Sequence, residues 1–188
     1  MLELIDDTQY SSNICNMLNT IEAEEIEKIT KAAEKVYSSL KNDGVLHVFS
    51  TGHSHMVVDE LFYRAGGLIP INPILVDELM LHKAAVTSSQ LERKPGLAKE
   101  IFDEVDIRKN DTILITSNSG INAVPIEAAI YCKDLGIPVI AITSLKASKK
   151  LESRHSDDKK LYMVSDIVID NHAPLGDGFF TIAANEQI

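Results

Sequence analysis

The sequence predicts an α/β protein with a doubly wound parallel sheet, and three observations lead to that prediction. Short runs that are apolar throughout alternate with segments of helical periodicity, which is typical of parallel strands buried between two layers of helices. The 188 residues are enough for one domain with a full core. No internal repeat or low-complexity linker divides them, so we predict a single domain over residues 1–188.

The N-terminal part of the chain predicts helix and then strand. Apolar residues recur at helical spacing from Asn13 to Leu40, and we interpret residues 1–43 as an N-terminal helical segment. The acid-rich run "EAEEIE" predicts a bend between two helices within it. "VLHVFS" predicts the first strand, "SHMVVDELFYRA" a helix closed by Gly66-Gly67, and "GLIPINPILV" a short extended region broken by two prolines.

The remaining elements complete an α/β core over residues 44–171. "DELMLHKAAV" and "GLAKEIFDEV" predict two helices separated by "TSSQLERKP". Three further apolar runs predict strands, and the segments after the first two predict helices. The strands are Asp111–Thr116, Pro138–Ile142 and Asp166–Asp170, and the helices are Asn122–Leu135 and Ala147–Ser153.

Composition limits the classes of function. A net charge of −10 disfavours general binding of nucleic acid, because nothing supplies a clustered basic surface. No run of about 18 apolar residues predicts a membrane span, and the N-terminus lacks the pattern of a signal peptide. The two cysteines lie far apart, which favours a cytoplasmic protein and gives no metal-binding spacing.

Two loops are candidates for a binding site, because ligands of such sheets bind at the C-terminal ends of the strands. In "FSTGHSHMVV", Gly52 allows a tight turn, and Ser54 is placed to cap the next helix or to donate to a ligand oxygen. An ordinary helix cap explains Ser54 equally simply, so both interpretations stay open.

The second loop, "TSNSGINAVPIEAA", predicts an anion site of about phosphate size. Ser117 and Ser119 each offer a hydroxyl donor, Gly120 lets the backbone approach closely, and Asn122 is placed to cap the following helix. An ordinary polar strand-to-helix loop is the alternative. The sequence contains no G-x-x-x-x-G-K-[ST] motif, which excludes a nucleotide P-loop, and no G-x-G-x-x-G motif follows the first strand.

These motifs resemble a known family. "DTILITSNSGINAVPIEAAIYCKDLGIPVIAITS" is similar to the core of sugar isomerase (SIS) domains, whose signature is an apolar strand that ends in Ser-x-Ser-Gly. "VFSTGHSH" resembles the family's first strand and turn, and "SRHSDDKKLYMVSDIVIDN" its later strand. With "LMLHKAAVTSSQLER", the resemblance is to a branch described as phosphoheptose isomerase-like. MurNAc-6-phosphate etherases and phosphosugar-responsive regulators share the domain.

The resemblance implies a fold, a ligand and a set of binding residues. The fold is a flavodoxin-like sheet of five parallel strands behind the N-terminal helical segment, in a homodimer or tetramer. The ligand is a sugar phosphate, with no cofactor, nucleic acid or membrane partner. Its contacts would be Ser117, Ser119 and Asn122 to the phosphate, the backbone of Asn118 and Gly120, and Ser54 to the sugar or phosphate.

Catalytic residues are harder to predict. Aldose–ketose isomerisation through an enediol needs a base near C2 of the sugar, and we consider Glu60, His82 and His155, each of which could instead have a structural role. The catalytic Glu of phosphoheptose isomerases falls on Arg64 here. His53 and His55 suggest a metal, but no complete ligand set appears, and we predict none.

Two classes of function therefore stay open: an enzyme, either an isomerase or an etherase-type lyase on an amino-sugar phosphate, and a non-catalytic phosphosugar-binding module. Residues 172–188, "HAPLGDGFFTIAANEQI", predict a short tail too broken by glycine for a closing helix. Phe179 and Phe180 would lack a surface to pack against. We expect either a chain shortened relative to its relatives or a tail that packs on a partner subunit, and both weaken the case for full isomerase activity.

Overall fold

The computed structural model describes residues 7–176, 178, 181–183 and 186–187. It begins with one long helix, α1 (Asp7–Lys41), so the bend predicted at "EAEEIE" is wrong. The acidic run continues the helix because Glu and Ala are strong helix formers. Its one buried acid, Glu25, is also satisfied: the carboxylate accepts hydrogen bonds from Lys28 Nζ at 2.8 Å and from the backbone N–H of Asp170 at 3.1 Å.

Five parallel strands form the central sheet, in the order β2-β1-β3-β4-β5. This confirms the predicted flavodoxin-like doubly wound fold. The extended segment after the first helix of the core is a true strand, at the edge of the sheet. The strands are β1 (Leu46–Ser50), β2 (Ile71–Ile74), β3 (Thr112–Thr116), β4 (Val139–Thr143) and β5 (Ile167–Asp170).

Helices connect the strands. Short 3₁₀ helices at Gly52–His55 and Asp77–Leu79 precede two of them. The elements in chain order are α2 (Met56–Leu61), α3 (Leu81–Leu91), α4 (Leu97–Phe102), α5 (Ala123–Asp134), α6 (Leu145–Lys150), α7 (Leu161–Val164) and an antiparallel pair, β6 (Thr181–Ala183) with β7 (Glu186–Gln187).

Other helices also differ from the sequence prediction. α6 (Leu145–Lys150) begins and ends earlier than the predicted Ala147–Ser153. α2 ends at Leu61, before the predicted stop at Gly66-Gly67, because Phe62 is extended and Tyr63 has a left-handed φ of 49°. α3 reaches Leu91, through residues that we predicted as a loop, and its helical backbone is interrupted at Ala84, where φ is −161° and ψ is 91°. The short helix α7 was not predicted.

The main core lies between the sheet and helices α4 and α5. Phe49 of β1 meets Phe102 of α4 edge to face, with ring centroids 5.2 Å apart, and Ile115 and Ile126 are fully buried beside them. Cys132 is also fully buried there, and burial raises the pKa of its thiol to about 12. This packing fixes the positions of β1 and β3, whose C-terminal ends carry the two loops predicted to bind a ligand.

A hydrogen-bonded cluster closes the opposite, N-terminal end of the sheet. The buried carboxylate of Asp111 accepts from His47 Nε2 at 2.9 Å and from the backbone N–H groups of Val45 at 2.9 Å and Arg108 at 2.7 Å. The amide of Asn72 donates to the other ring nitrogen of His47, also at 2.9 Å. His47 is therefore the Nε2–H tautomer, and the cluster joins β1, β2 and the start of β3.

Phe179 and Phe180, for which we predicted no packing partner, lie outside the described residues. None of the helices in the described part of the chain is both long and apolar enough to cross a bilayer.

Candidate functional site

The loop that joins β3 to α5 is held from behind by neighbouring segments. The backbone oxygen of Asn118 accepts from the N–H of Ser144 at 2.9 Å and from the hydroxyl of Thr143 at 3.1 Å. The backbone oxygen of Gly120 accepts from the N–H of Leu161 at 2.9 Å. These bonds fix the backbone of the loop through its carbonyl groups, on the side of β4 and α7.

Gly120 is needed at its position for two reasons. Its φ of +62° lies in the left-handed region that side chains rarely adopt, and a Cβ there would lie 2.7 Å from Thr143 Oγ1. The sequence predicted close backbone approach at this residue. The structure shows that the approach is to β4, on the side of the loop away from the cleft residues.

Several donors of the loop have no acceptor in the described part of the chain. Among the described residues, none forms a hydrogen bond with the hydroxyl or the N–H of Ser119, or with the N–H of Ile121. Ser117 Oγ accepts from the N–H of Gly120 at 3.2 Å, which leaves its own hydrogen available. These groups can hold an anion without a lysine.

The first turn of α5 contributes less than its position in the sequence suggests. The N–H of Val124 already donates to the backbone oxygen of Glu92 at 3.1 Å, and Pro125 has no N–H. Anion binding at a helix N-terminus depends on such free donors. The loop itself, rather than the helix end, is therefore the main source of donors.

Asn122 takes the N-cap position of α5 without capping it. Its backbone is extended, with φ −78° and ψ 147°, but its side chain accepts no hydrogen bond from the helix, contrary to prediction. Instead its Oδ1 accepts from Arg154 Nη1 at 2.7 Å, and the N–H of Arg154 donates to the backbone oxygen of Ile121 at 2.9 Å. A guanidinium is thereby held beside the loop.

The first-turn loop faces this second loop. Ser54 lies inside the 3₁₀ helix Gly52–His55, and its side chain does not cap α2, whose N-cap residue is His55. The backbone oxygen of Ser54 accepts from Thr116 Oγ1 at 3.2 Å, which ties the turn to the end of β3. Its hydroxyl has no hydrogen-bond partner among the described residues, so it is free to meet a ligand.

The two loops enclose a cleft of about 310 Å³. Five of the six predicted binding residues line it, and Gly120 lies behind them. The predicted lining residues are Ser54, Ser117, Asn118, Ser119 and Asn122; the others include Thr51, Gly52, His53, Leu81, Ser89 and Glu92.

The three predicted catalytic residues do not meet at this cleft. Glu60 is 69% exposed and paired with Arg64 on α2. His82 is exposed on α3, with its ring 5.7 Å from that of His55. His155 is buried, and its Nδ1 accepts from the N–H of Asp157 at 3.1 Å within its own loop. None of the three lines the cleft.

The cleft instead contains a carboxylate that sequence reasoning missed. Glu92 follows α3 directly, is half-buried, and accepts on Oε2 a hydrogen bond of 2.9 Å from Thr51 Oγ1. Its segment, "SSQLER", is among the motifs that carry the family resemblance. That was the available signal, but the segment was interpreted as the link between two helices.

No metal centre emerges in the described part of the chain, where no group of three His, Cys, Asp or Glu residues could hold a metal ion. A larger cavity of about 680 Å³ lies beside the edge strand β2, away from the two predicted loops. Its polar lining residues are His47, Asn72, Glu104, Asp106 and Arg108. His47 and Asn72 are hydrogen-bonded within the cluster at the N-terminal end of the sheet, and Asp106 and Arg108 pair with each other.

A parallel sheet of this order, with a Ser-x-Ser-Gly loop and a cleft at its strand ends, defines the class of sugar isomerase domains. The family model described as "SIS domain" matches residues 9–144. The chain belongs to this family, and the resemblance stated from the sequence is confirmed.

Close relatives share most of the chain. A UPF0309 protein of Halalkalibacterium halodurans is 45% identical over 170 residues, which cover 90% of this chain and 68% of that protein. A UPF0309 protein of Geobacillus thermodenitrificans is 46% identical over 173 residues, or 92% of this chain and 70% of that one. Their name states no activity.

Solved structures agree on the fold. A phosphoheptose isomerase from Neisseria gonorrhoeae superimposes with a TM-score of 0.65 at 18% identity, over 90% of this chain and 85% of that one. A phosphoheptose isomerase from Francisella tularensis gives a TM-score of 0.60 at 17% identity, over 89% and 85%. At this identity the likeness shows the fold alone.

Proposed function

We propose that the cleft binds a sugar phosphate, with the phosphate on the loop of residues 117–122. The observation that carries this proposal is a set of donors from two loops that face one space and have no acceptor among the described residues: the hydroxyls of Ser54, Ser117 and Ser119 and the N–H groups of Ser119 and Ile121. Several convergent donors that open onto one cleft are typical of a site for an anionic group.

One positive charge lies beside the proposed phosphate loop. The described residues that line the cleft include one carboxylate, Glu92, and no lysine or arginine. Positive charge comes from Arg154, which already donates to Asn122 at the edge of the loop. A guanidinium can contribute further donors to a phosphate oxygen in addition to that bond.

We further propose that the chemistry is aldose–ketose isomerisation of the bound sugar phosphate, through an enediol. The two solved structures that share the fold carry the name phosphoheptose isomerase, and a carboxylate lies in the same cleft as the proposed phosphate site. The resemblance also keeps two other functions in view, a non-catalytic sugar-phosphate binder and an etherase-type lyase.

A thermal-shift screen tests the binding proposal. The purified protein is heated with glucose 6-phosphate, fructose 6-phosphate, ribose 5-phosphate, arabinose 5-phosphate, sedoheptulose 7-phosphate or N-acetylmuramic acid 6-phosphate. A ligand at about 100 times its Kd adds about 2.7 kcal/mol to the free energy of unfolding, which raises Tm by roughly 5–10 °C. Each free sugar and inorganic phosphate serve as controls. No shift with any of the six compounds would refute the proposal.

The products then separate the three functions. ¹H NMR of the bound compounds over time detects an aldose–ketose pair for an isomerase, or loss of the lactyl group of N-acetylmuramic acid 6-phosphate for a lyase. Binding without any conversion would identify a sugar-phosphate-binding module.

We also propose that the chain forms a homodimer or tetramer. Large apolar side chains are exposed along α1, including Leu18 at 58%, Ile26 at 52% and Tyr37 at 65%. An exposed apolar stripe on a helix is typical of a protein–protein contact. Light scattering coupled to size-exclusion chromatography measures the mass, and a monomer at all concentrations would contradict this proposal.

A further inference from the structure

We propose that Glu92 is the acid–base residue that carries the proton between C2 and C1 of the bound sugar phosphate. This inference rests on the proposed isomerase function and assigns its chemistry to a residue of this chain. It replaces Glu60, His82 and His155, which the structure distributes outside the cleft.

The two oxygens of the Glu92 carboxylate are in different situations. Oε2 accepts the hydroxyl hydrogen of Thr51 at 2.9 Å. Oε1 has no hydrogen-bond partner among the residues that the structure describes, and the side chain lines the cleft. One oxygen therefore fixes the orientation of the group while the other is available to a substrate proton, which is the arrangement that a positioned base requires.

Glu92 is also attached to both loops that form the site. Its backbone oxygen accepts from the N–H of Val124, which follows the proposed phosphate loop, at 3.1 Å. Its carboxylate is bonded to Thr51, which begins the turn that carries Ser54. The distance between the proposed base and the proposed phosphate site is thereby set by two hydrogen bonds of the folded chain, which holds the reacting groups in register.

A tight turn at Gly52 lies next to Glu92. The φ of Gly52 is +59°, in the left-handed region that favours glycine, whereas an added Cβ would make only ordinary contact with Glu92 Oε2, at 3.6 Å. Glycine is therefore favoured here by the backbone conformation and not by lack of space. The turn follows Thr51, whose hydroxyl donates to Glu92.

The proposed reaction balances without a cofactor. Glu92 Oε1 takes the proton from C2, the electrons of the broken C2–H bond form the C1=C2 double bond, and the C1=O1 π electrons move to O1, which becomes protonated. The resulting enediol loses the proton of its O2 hydroxyl, C2=O2 forms, and C1 takes the proton back from Glu92. The hydroxyl proton passes from O2 to O1 through solvent water, so nothing is oxidised or reduced overall.

Deuterium exchange tests the assignment. Each sugar phosphate that binds is incubated with the protein in D₂O, and incorporation at C1 or C2 is followed by NMR. A carboxylate that is shared between C2 and the medium exchanges its proton, so we expect deuterium in the product. We expect Glu92→Gln to slow this exchange by about 10²–10⁴-fold, with a calorimetric Kd within about twofold of the parent value, because an amide keeps the shape of the side chain.

Control variants separate an effect on the chemical step from an effect on folding. Glu100→Gln is the matched control for Glu92→Gln. Glu100→Gln changes an exposed glutamate that is paired at 3.8 Å with Lys94 on the outer surface, and we expect parent-like exchange from it. Thr51→Val removes the bond that orients Glu92; we expect it to lower kcat by about tenfold with KM nearly unchanged, and Thr51→Ser to restore kcat. Thr51 is thus a positioning residue.

Each outcome decides a separate statement. Failure of all sugar phosphates to bind would remove the proposed function itself. Binding by the parent protein without any exchange would leave sugar-phosphate binding standing and overturn the role of Glu92. Deuterium exchange by Glu92→Gln at the parent rate would also overturn the role of Glu92. If Glu92→Gln does not fold, a parent-like kcat in Thr51→Val would contradict the assignment.

Discussion

Both ends of the parallel sheet carry polar side chains, but the two sets differ in their hydrogen bonding. At the N-terminal end, the carboxylate of Asp111 accepts three hydrogen bonds, and both ring nitrogens of His47 are bonded. At the C-terminal end, Ser119 and Ser54 have hydroxyls without partners among the described residues, and Glu92 has a free oxygen. The two ends therefore do not differ in how polar they are. They differ in whether their polar groups already have hydrogen-bond partners within the described chain.

The physical reason is the cost of desolvation. A buried polar group is costly unless it is hydrogen-bonded, so a fully bonded cluster stabilises the fold and offers nothing to a ligand. A group left without a partner keeps its binding capacity for a molecule that arrives later. Substitutions at the N-terminal end should therefore change stability, and those at the C-terminal end should change binding.

The largest effect is expected for Asp111→Ala. The variant removes the acceptor of the buried His47 ring and of two half-buried backbone N–H groups, and a buried donor left without its acceptor costs about 1–3 kcal/mol, so we expect a loss of about 3 kcal/mol in all. Urea unfolding measures the loss. Asp106→Ala is the control: Asp106 is 73% exposed and forms a surface pair with Arg108, so we expect a change within about 0.5 kcal/mol. Equal losses in the two variants would break the comparison.

Two serines give the sharpest contrast. Ser119→Ala removes a proposed phosphate donor, and we expect binding to weaken by about 1–3 kcal/mol with unchanged stability. Ser39→Ala removes a buried hydroxyl that donates to the backbone oxygen of Asn110 at 2.6 Å, and we expect about 1–2 kcal/mol less stability with unchanged binding. Calorimetry and urea unfolding on both variants measure the two quantities. Unchanged affinity in Ser119→Ala would refute the assignment of the phosphate loop.

The smallest expected effect is on how stability changes with pH in acid. Burial by itself raises the pKa of Asp111, but hydrogen bonds from His47 and from the N–H groups of Arg108 and Val45 hold it below 3.8 overall. A carboxyl group whose pKa is lower in the folded state stabilises the fold at pH values above its pKa in the unfolded state. That contribution is lost as the pH falls through its pKa in the folded state. A tenfold difference in proton affinity between the folded and unfolded states corresponds to about 1.4 kcal/mol. Urea midpoints between about pH 5 and pH 2 should therefore fall less steeply in Asp111→Asn than in the parent protein; parallel curves would contradict this.

Much of the fold and of the binding loop could be predicted because the signals are local. An apolar run that stops at Ser-x-Ser-Gly indicates both the strand and the loop, and Gly120 indeed has the left-handed φ that favours glycine. The predicted bend in α1 was wrong because Glu and Ala favour a helix through the acidic run. The burial of Glu25 within it could not be predicted, because its carboxylate accepts from the N–H of Asp170, 145 positions away.

The position of the proposed base also depends on contacts between distant residues. Glu92 reaches the cleft because α3 continues through "TSSQL", and because Thr51, 41 residues away, donates a hydrogen bond to it. Glu60 lies near Ser54 in sequence, but its helix turns it outward, where it pairs with Arg64. Asn122 was expected to cap α5 and contacts Arg154 instead, across 32 positions. Each of these assignments depends on long-range packing rather than on spacing.

The bonds behind the loop of residues 117–122 have a kinetic consequence. Because Ser144, Thr143 and Leu161 fix its carbonyl groups before any ligand arrives, the loop has little conformational freedom left to lose. Capture of a ligand should then be a single encounter limited by diffusion and orientation, without a slow closing step. Differences in affinity among sugar phosphates would lie chiefly in how long each one stays bound.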